Sequence, residues 1–277
     1  MTTTVLITGC STGMGRQTAL DLHRLGHRVY ATARRPETLA DLAAEGIATL
    51  ALDVTDEDSM AAAVAKVEAD GGPVGILVNN AGYGLIRAVE AADPAEVRRQ
   101  FDTNVFGLVR LTQLVLPGMR RAGTGRIVNI SSMAGKFSPP GGGFYHATKH
   151  AVEALSDSLR LEVRPFGIDV VVVQPGPILT EFGGTAVGTL PTVEAGPYGR
   201  FDAELAGVYD KLFDARGRAV PVTAASRVIV RAATARRPRA RYAIGAFART
   251  IMLSRRLLPD VVFDAMMRSA FPTPRAA

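Results

Sequence analysis

The amino-acid sequence predicts an α/β fold, with one doubly wound, parallel, seven-stranded sheet, helices on both faces and a helical C-terminal extension. Three observations carry this expectation. Short β-branched runs alternate with longer helical patterns, which implies parallel strands joined by right-handed crossovers. The run Val170-Val171-Val172-Val173 is apolar in every direction, as a strand covered by helices on both sides should be. A glycine-rich turn from Gly9 to Gly15 separates the first strand-like run from the first helical one. Strands are expected near 4–8, 28–33, 48–52, 74–79, 126–131, 168–174 and 241–245. Helices are expected near 13–25, 36–44, 56–69, 94–120, 145–164, 202–214, 223–235 and 247–269, the last broken at Pro259. The chain shows no internal repeat, low-complexity tract or interdomain linker, so residues 1–277 are read as a single domain.

The first unit sets the pattern for the rest. Thr3-Thr4-Val5-Leu6-Ile7-Thr8 is rich in β-branched residues, and Ala19, Leu22 and Leu25 form an apolar stripe that Gly26 ends. This reads as strand, turn, helix. Between them stands Gly9-Cys10-Ser11-Thr12-Gly13-Met14-Gly15. Glycines let the main chain approach a pyrophosphate without Cβ clashes, and a helix N-terminus offers unpaired N–H groups and a positive dipole end. In such sheets ligands bind outside the carboxyl ends of the strands, where the strand order reverses.

Composition excludes several classes. The single cysteine, Cys10, rules out an intramolecular disulfide and fits a reducing, cytoplasmic setting; it reads as a small side chain in the turn. No run of eighteen apolar residues occurs, so no membrane-spanning helix is expected, and no secretory signal is evident. The net charge of +6 is uneven, with +11 carried from Arg216 onward and −5 before it. Without tryptophan or an aromatic-interleaved basic motif, nucleic acid is not an expected partner. No histidine, cysteine and carboxylate cluster has metal-ligand spacing, so no metal is expected.

The segment Phe144-Tyr145-His146-Ala147-Thr148-Lys149 places a phenol and an ammonium on one helical face. A cation beside a phenol favours the ionised form, so Lys149 is expected to lower the pKa of Tyr145. His146 and His150 lie about 100° away around the helix and are expected to face elsewhere, with a place at the pocket rim as the alternative for His146. His23 and His27 read as structural.

Taken together, these residues resemble the classical short-chain dehydrogenase/reductase family, with motifs in family order from Thr3 to Phe182. The look of Ala31-Thr32-Ala33-Arg34-Arg35 and the long C-terminal extension are similar to its 17β-hydroxysteroid and retinol dehydrogenase branch. The resemblance implies a Rossmann-type sheet and a cofactor loop of Gly9, Ser11, Thr12, Gly13, Met14 and Gly15. It makes Asp53, followed by Val54, the adenine-contacting acid. It makes Asn80, Ala81 and Gly82 a segment along which the cofactor passes. Pro175, Gly176, Ile178 and Thr180 would form the loop at the nicotinamide. The implied catalytic set is Asn104, Ser132, Tyr145 and Lys149. Ser132 lies at the family spacing from Tyr145, with Ser131 as its rival. Tyr145 would carry the proton that accompanies hydride transfer. Ser132 would steady the substrate oxygen, Lys149 would also bind the nicotinamide ribose, and Asn104 would hold a water.

Cofactor choice has its own signal. An NAD site usually carries an acid at the end of the second strand; here that strand runs into Arg34-Arg35, with no carboxylate before Glu37. An arginine fork suits a 2′-phosphate. NADP(H) is favoured, with NAD(H) as the alternative.

Residues 1–180 are therefore expected to form the cofactor and catalytic core, and 181–220 a substrate lid. The lid is glycine-rich, with Gly183-Gly184, Gly188, Pro191, Gly196-Pro197 and Gly199. A second wall is expected from Phe137-Ser138-Pro139-Pro140 and the glycine triplet 141–143. With few charges in either wall, the expected substrate is a neutral, fairly apolar alcohol or carbonyl compound. The extension, 246–277, is expected to cap the pocket. Packing on a sister subunit and resting on a membrane surface are alternatives. A homodimer or homotetramer is expected by resemblance. Two rival functions are a dinucleotide-binding sensor without turnover and a peripheral membrane enzyme of lipid-soluble alcohols.

Overall fold

The structure is a computed structural model, and it describes residues 2–190, 197–214 and 216–274. Pro191 and Gly196 of the expected lid lie outside the described residues. The chain alternates as foreseen through β1 (Thr4–Ile7), α1 (Gly13–Arg24), β2 (Arg28–Ala33), α2 (Ala40–Ala44), β3 (Ala48–Ala51), α3 (Glu57–Gly71) and β4 (Ile76–Asn79). It continues through α4 (Pro94–Phe101), α5 (Gly107–Ala122), β5 (Gly125–Ile130), α6 (Gly143–Val163) and β6 (Ile168–Pro175). Seven parallel strands form the main sheet in the order β3-β2-β1-β4-β5-β6-β9, where β9 is Arg241–Ile244.

Strand alternation divides the core. Val5 and Ile7 face one side with Ala19 and Leu22 of α1 and with Ile229 of α9 (Val222–Thr234). Leu6 faces the other, with Val64 of α3 and Leu111 and Val115 of α5. A period of two thus feeds two apolar layers, each covered by helices. The strand order reverses between β1 and β4. The glycine turn follows β1 and Asn80 follows β4, so both reach the same crevice. Leu25, expected on the buried stripe, is instead 61% exposed, because α1 ends at Arg24 and Leu25 is its C-cap.

Three departures from the expected elements matter for the site. The helix expected over 94–120 is α4 and α5 joined by a π-turn at Asp102–Phe106, which contains Asn104. A π-turn rotates the following residues out of the 3.6-residue register, and no periodicity signal marks it. Gly107 follows at once; a Cβ there would run into the Val54 carbonyl oxygen, so glycine allows α5 to pack against the end of β3. The second helix expected, 36–44, is a 3₁₀ turn (Pro36–Leu39) running into the short α2.

The third departure is in the lid. Ile178–Leu179 (β7) pairs in parallel with Val220–Pro221 (β8). This small sheet ties together the two ends of the excursion, which carries α7 (Phe182–Val187) and α8 (Gly199–Phe213). Its own core includes Ile86, Ala186, Phe201, Leu205 and Tyr209. Beyond β9, the extension forms α10 (Ala246–Leu257) and α11 (Asp260–Ala270), separated at Pro259. Their inner faces bury Ile251, Phe263 and Met267 against Phe137.

Candidate active site

The glycine loop is built for close approach. Gly9 and Gly13 have φ of 69° and 60°, a region that side chains disfavour. A Cβ on Gly9 would meet Ala81 Cα at 2.9 Å, and one on Gly15 would meet the Gly9 carbonyl oxygen at 2.6 Å. Thr8 Oγ1 accepts hydrogen bonds from the main-chain N–H of Asn80 and of Ala81, both at 3.0 Å. Asn80 Nδ2 donates to the carbonyls of Thr8 at 2.8 Å and Gly9 at 3.0 Å. These bonds lock the loop after β1 to the loop after β4. The first turn of α1 has no capping side chain and no acid, which leaves its N–H groups open to an anion. The cradle therefore fits a dinucleotide pyrophosphate.

Farther along the same edge, Arg34 and Arg35 are exposed where β2 ends. Cys10 is buried; its thiol donates to the Ile7 carbonyl at 3.4 Å, and burial pushes its pKa up to about 12. That is the inert thiol expected. Asp53 Oδ1 accepts from Thr55 N–H at 2.9 Å and Thr55 Oγ1 at 2.8 Å, so its carboxylate is held in a local turn at the end of β3.

The four expected catalytic residues come from four segments. Asn104 is 1% exposed. Its Oδ1 accepts from Tyr83 N–H at 3.1 Å, and its Nδ2 donates to Tyr83 O at 2.9 Å and Thr148 Oγ1 at 3.1 Å. The side chain thus pins the strand of chain beside Gly82. Ser132 caps the 3₁₀ turn Met133–Gly135: its Oγ accepts from Ala134 N–H at 3.1 Å and donates to Pro175 O at 3.3 Å. Lys149 Nζ donates to Ile130 O at 2.9 Å and stands 5.8 Å from the centre of the Tyr145 ring. Behind them, Asn79, Asn129 and Ser156 form a buried hydrogen-bonded chain that holds β4, β5 and α6 in register.

Ser132, Tyr145 and Lys149 line one cleft of roughly 890 Å³, counting the part open to solvent. Met14, Asn80, Gly82, Pro175, Gly176 and Ile178 line it too, as does Thr180. The spatial convergence on which the sequence argument depends is therefore present. Phe137 and Pro139 form the expected wall, and the lid contributes Phe182.

Two expectations fail. The Tyr145 phenol is not lowered; burial of its hydroxyl pushes it up to about 12, and the adjacent Ser132 hydroxyl offsets this only in part. The Lys149 ammonium is directed at the Ile130 carbonyl, and its own burial, opposed by Glu153, brings it down to about 8. Helical spacing made the two residues neighbours without revealing how little water surrounds them. His146 is the second. It does not face away but lines the cleft, in edge contact with Tyr145 at 5.8 Å. Burial lowers its pKa to about 4, so the ring is neutral, and its one N–H is donated from Nδ1 to the Phe137 carbonyl. His150 is exposed, as expected. Among the cleft residues the sequence did not single out are Tyr209, Leu212 and Phe213 of α8. Only the fold of the lid brings them in, and nothing in their spacing signals it. Phe271, one of the apolar residues of the extension, also lines the cleft, in keeping with the expected cap.

A crevice at the reversal of a parallel sheet, a phosphate cradle and a convergent serine, tyrosine and lysine define a nucleotide-dependent oxidoreductase. The chain belongs to the short-chain dehydrogenase family, whose model matches residues 3–188. It is 45% identical over 179 residues to the 3-ketodihydrosphingosine reductase of Bacteroides thetaiotaomicron, across 64% of this chain and 65% of that one. A short-chain dehydrogenase from Streptomyces avermitilis superposes with a TM-score of 0.82 at 36% identity, covering 96% of this chain and 95% of its own. A serine dehydrogenase complexed with NADP+ has a TM-score of 0.76 at 29% identity, covering 87% and 94% respectively. Among the described residues no group of histidine, cysteine and carboxylate side chains could hold a metal ion, and no helix is long and apolar enough to cross a membrane.

Proposed function

We propose that the protein is an NADP(H)-dependent reductase of neutral, largely apolar ketones or aldehydes, with Tyr145 as the proton donor. The single observation that carries this reading is the shared cleft of Ser132, Tyr145 and Lys149 beside the glycine cradle. NADP(H), when bound, supplies the hydride donor or acceptor. The N-terminus of α1 would hold its pyrophosphate, and Arg34 and Arg35 its 2′-phosphate. Asp53 and Val54 would border the adenine, Asn80, Ala81 and Gly82 the middle of the molecule, and Pro175, Gly176, Ile178 and Thr180 the nicotinamide end. Support for NADP(H) comes from the two arginines and from the NADP+ complex of the serine dehydrogenase; NAD(H) is the alternative.

The chain's own groups divide the chemistry. A phenol held well above neutrality is protonated at pH 7 and able to donate. Ser132 would steady the developing charge on the substrate oxygen. Lys149 would orient the ribose, and Asn104 is a positioning residue through Tyr83. Apolar walls at Phe137, Phe182 and Phe213 favour an uncharged substrate. Absorbance at 340 nm with NADPH and a panel of alkyl ketones and aldehydes tests the reading; a cofactor-binding sensor would bind NADPH and oxidise none of it.

Two surface features support further readings. Phe106, Leu161 and Phe166 are exposed on or next to the helical segments 102–122 and 143–166, which favours pairing of two copies there. Light scattering should show a dimer or tetramer, and Leu161→Glu should shift it towards monomer; a monomeric native chain removes this reading. On the extension, Leu253, Leu257, Val261 and Val262 are exposed beside Arg249, Arg256 and Arg268, as on helices that rest on anionic lipid. Co-sedimentation with phosphatidylglycerol vesicles should fall on Leu253→Ser with Leu257→Ser; equal sedimentation of both forms discards membrane association.

A further inference from the structure

The lid brings a second phenol into the cleft. Tyr209, on α8, is 7% exposed and lines the same space as Tyr145. The two are joined by a row of rings. Tyr145 lies 5.5 Å from Phe182, Phe182 lies 6.0 Å from Phe213, and Phe213 stacks on Tyr209 at 6.4 Å and 17°. A phenol stands at each end of this aromatic wall.

The two phenols differ in what they are given. Tyr145 has Ser132 beside it. The hydroxyl of Tyr209 makes no hydrogen bond to a described residue; burial and the charge of an ionised Tyr145 are what bear on its titration, and both hold it protonated. Other polar groups of the cleft are engaged. His146 is bonded to the Phe137 carbonyl, Asn80 to Thr8 and Gly9, and Lys149 to Ile130. Ser131 Oγ also lacks a described partner, but it is almost completely buried. A buried hydroxyl left unpaired is unfavourable, and an alkyl chain laid along this wall would leave Tyr209 so.

We infer that Tyr209 reads the substrate: its hydroxyl hydrogen-bonds a second, uncharged oxygen carried on the chain of an otherwise apolar compound, away from the reacting carbonyl. This rests on the ketone reduction proposed above. A hydroxyl or a second carbonyl satisfies the phenol. A carboxylate or phosphate would not, since Lys149 is the one charged side chain among the described residues of the cleft and is already bonded.

The test compares a medium-chain alkyl ketone with two analogues of similar length, one bearing a hydroxyl near the carbonyl and the other a hydroxyl near the far end of the chain. With NADPH, the native protein should prefer at least one hydroxyketone by about tenfold in kcat/KM, the value of one hydrogen bond. Tyr209→Phe should erase that preference, leave turnover of the plain ketone unchanged and leave the melting temperature unchanged or higher. The inference is overturned by no preference in the native protein, by a preference that survives Tyr209→Phe, by an equal fall on all three ketones, or by a lowered melting temperature. Turnover of all three ketones without preference leaves the ketone reductase standing and removes only the role of Tyr209. Turnover of none removes both.

Discussion

Replacing Tyr145 with phenylalanine is expected to lower turnover about 10³-fold while leaving NADPH affinity unchanged, since a positioned acid or base contributes roughly 10²–10⁴-fold. The ring would remain in place against Phe182 and His146, so the loss isolates the hydroxyl. The sign of the pH dependence follows from the shift. With the phenol pushed up to about 12, the protonated form dominates at neutral pH. Carbonyl reduction, which consumes that proton, should stay level from pH 6 to 10, below the range in which the phenol ionises. Alcohol oxidation needs the phenolate and should climb as pH rises. In Tyr145→Phe the climb of oxidation should be lost. Steady-state rates in the two directions from pH 6 to 10, with NADPH binding followed by fluorescence, check it. Unchanged turnover in the variant, or reduction that accelerates with pH, would remove Tyr145 from its role.

The second large effect concerns cofactor choice. Changing Arg34 and Arg35 together to alanine is expected to weaken NADPH by about 10²-fold and NADH by less than about twofold. Hydrogen bonds to a charged group contribute about 1.5–3 kcal/mol, and each 1.4 kcal/mol is about a factor of ten. Both side chains are exposed at the end of β2, so their loss should not disturb the core. Equal weakening of both nucleotides would show that these arginines do not read the 2′-phosphate.

Much of this molecule was readable before any coordinates. The alternation of short apolar runs with helical periods names the layers, because a strand's period of two and a helix's of 3.6 are set by backbone geometry. The carboxyl-end placement of Thr8, Asn80, Ser132 and Pro175 follows from that topology. The π-turn at Asn104 was not readable, because one extra residue in a helix leaves the apolar pattern nearly intact. Nor were β7 and β8, which are two residues each and too short to show alternation.

The order of the chain and its chemistry-bearing residues belong to the sequence, because they are local properties of composition and spacing. Solvation belongs to the tertiary structure. Whether Tyr145 is acidified by Lys149 or held protonated by apolar walls depends on which distant segments exclude water from it, and the lid and extension meet that phenol only in three dimensions. The same holds for Tyr209, placed in the cleft because β7 and β8 fold the lid back over the sheet.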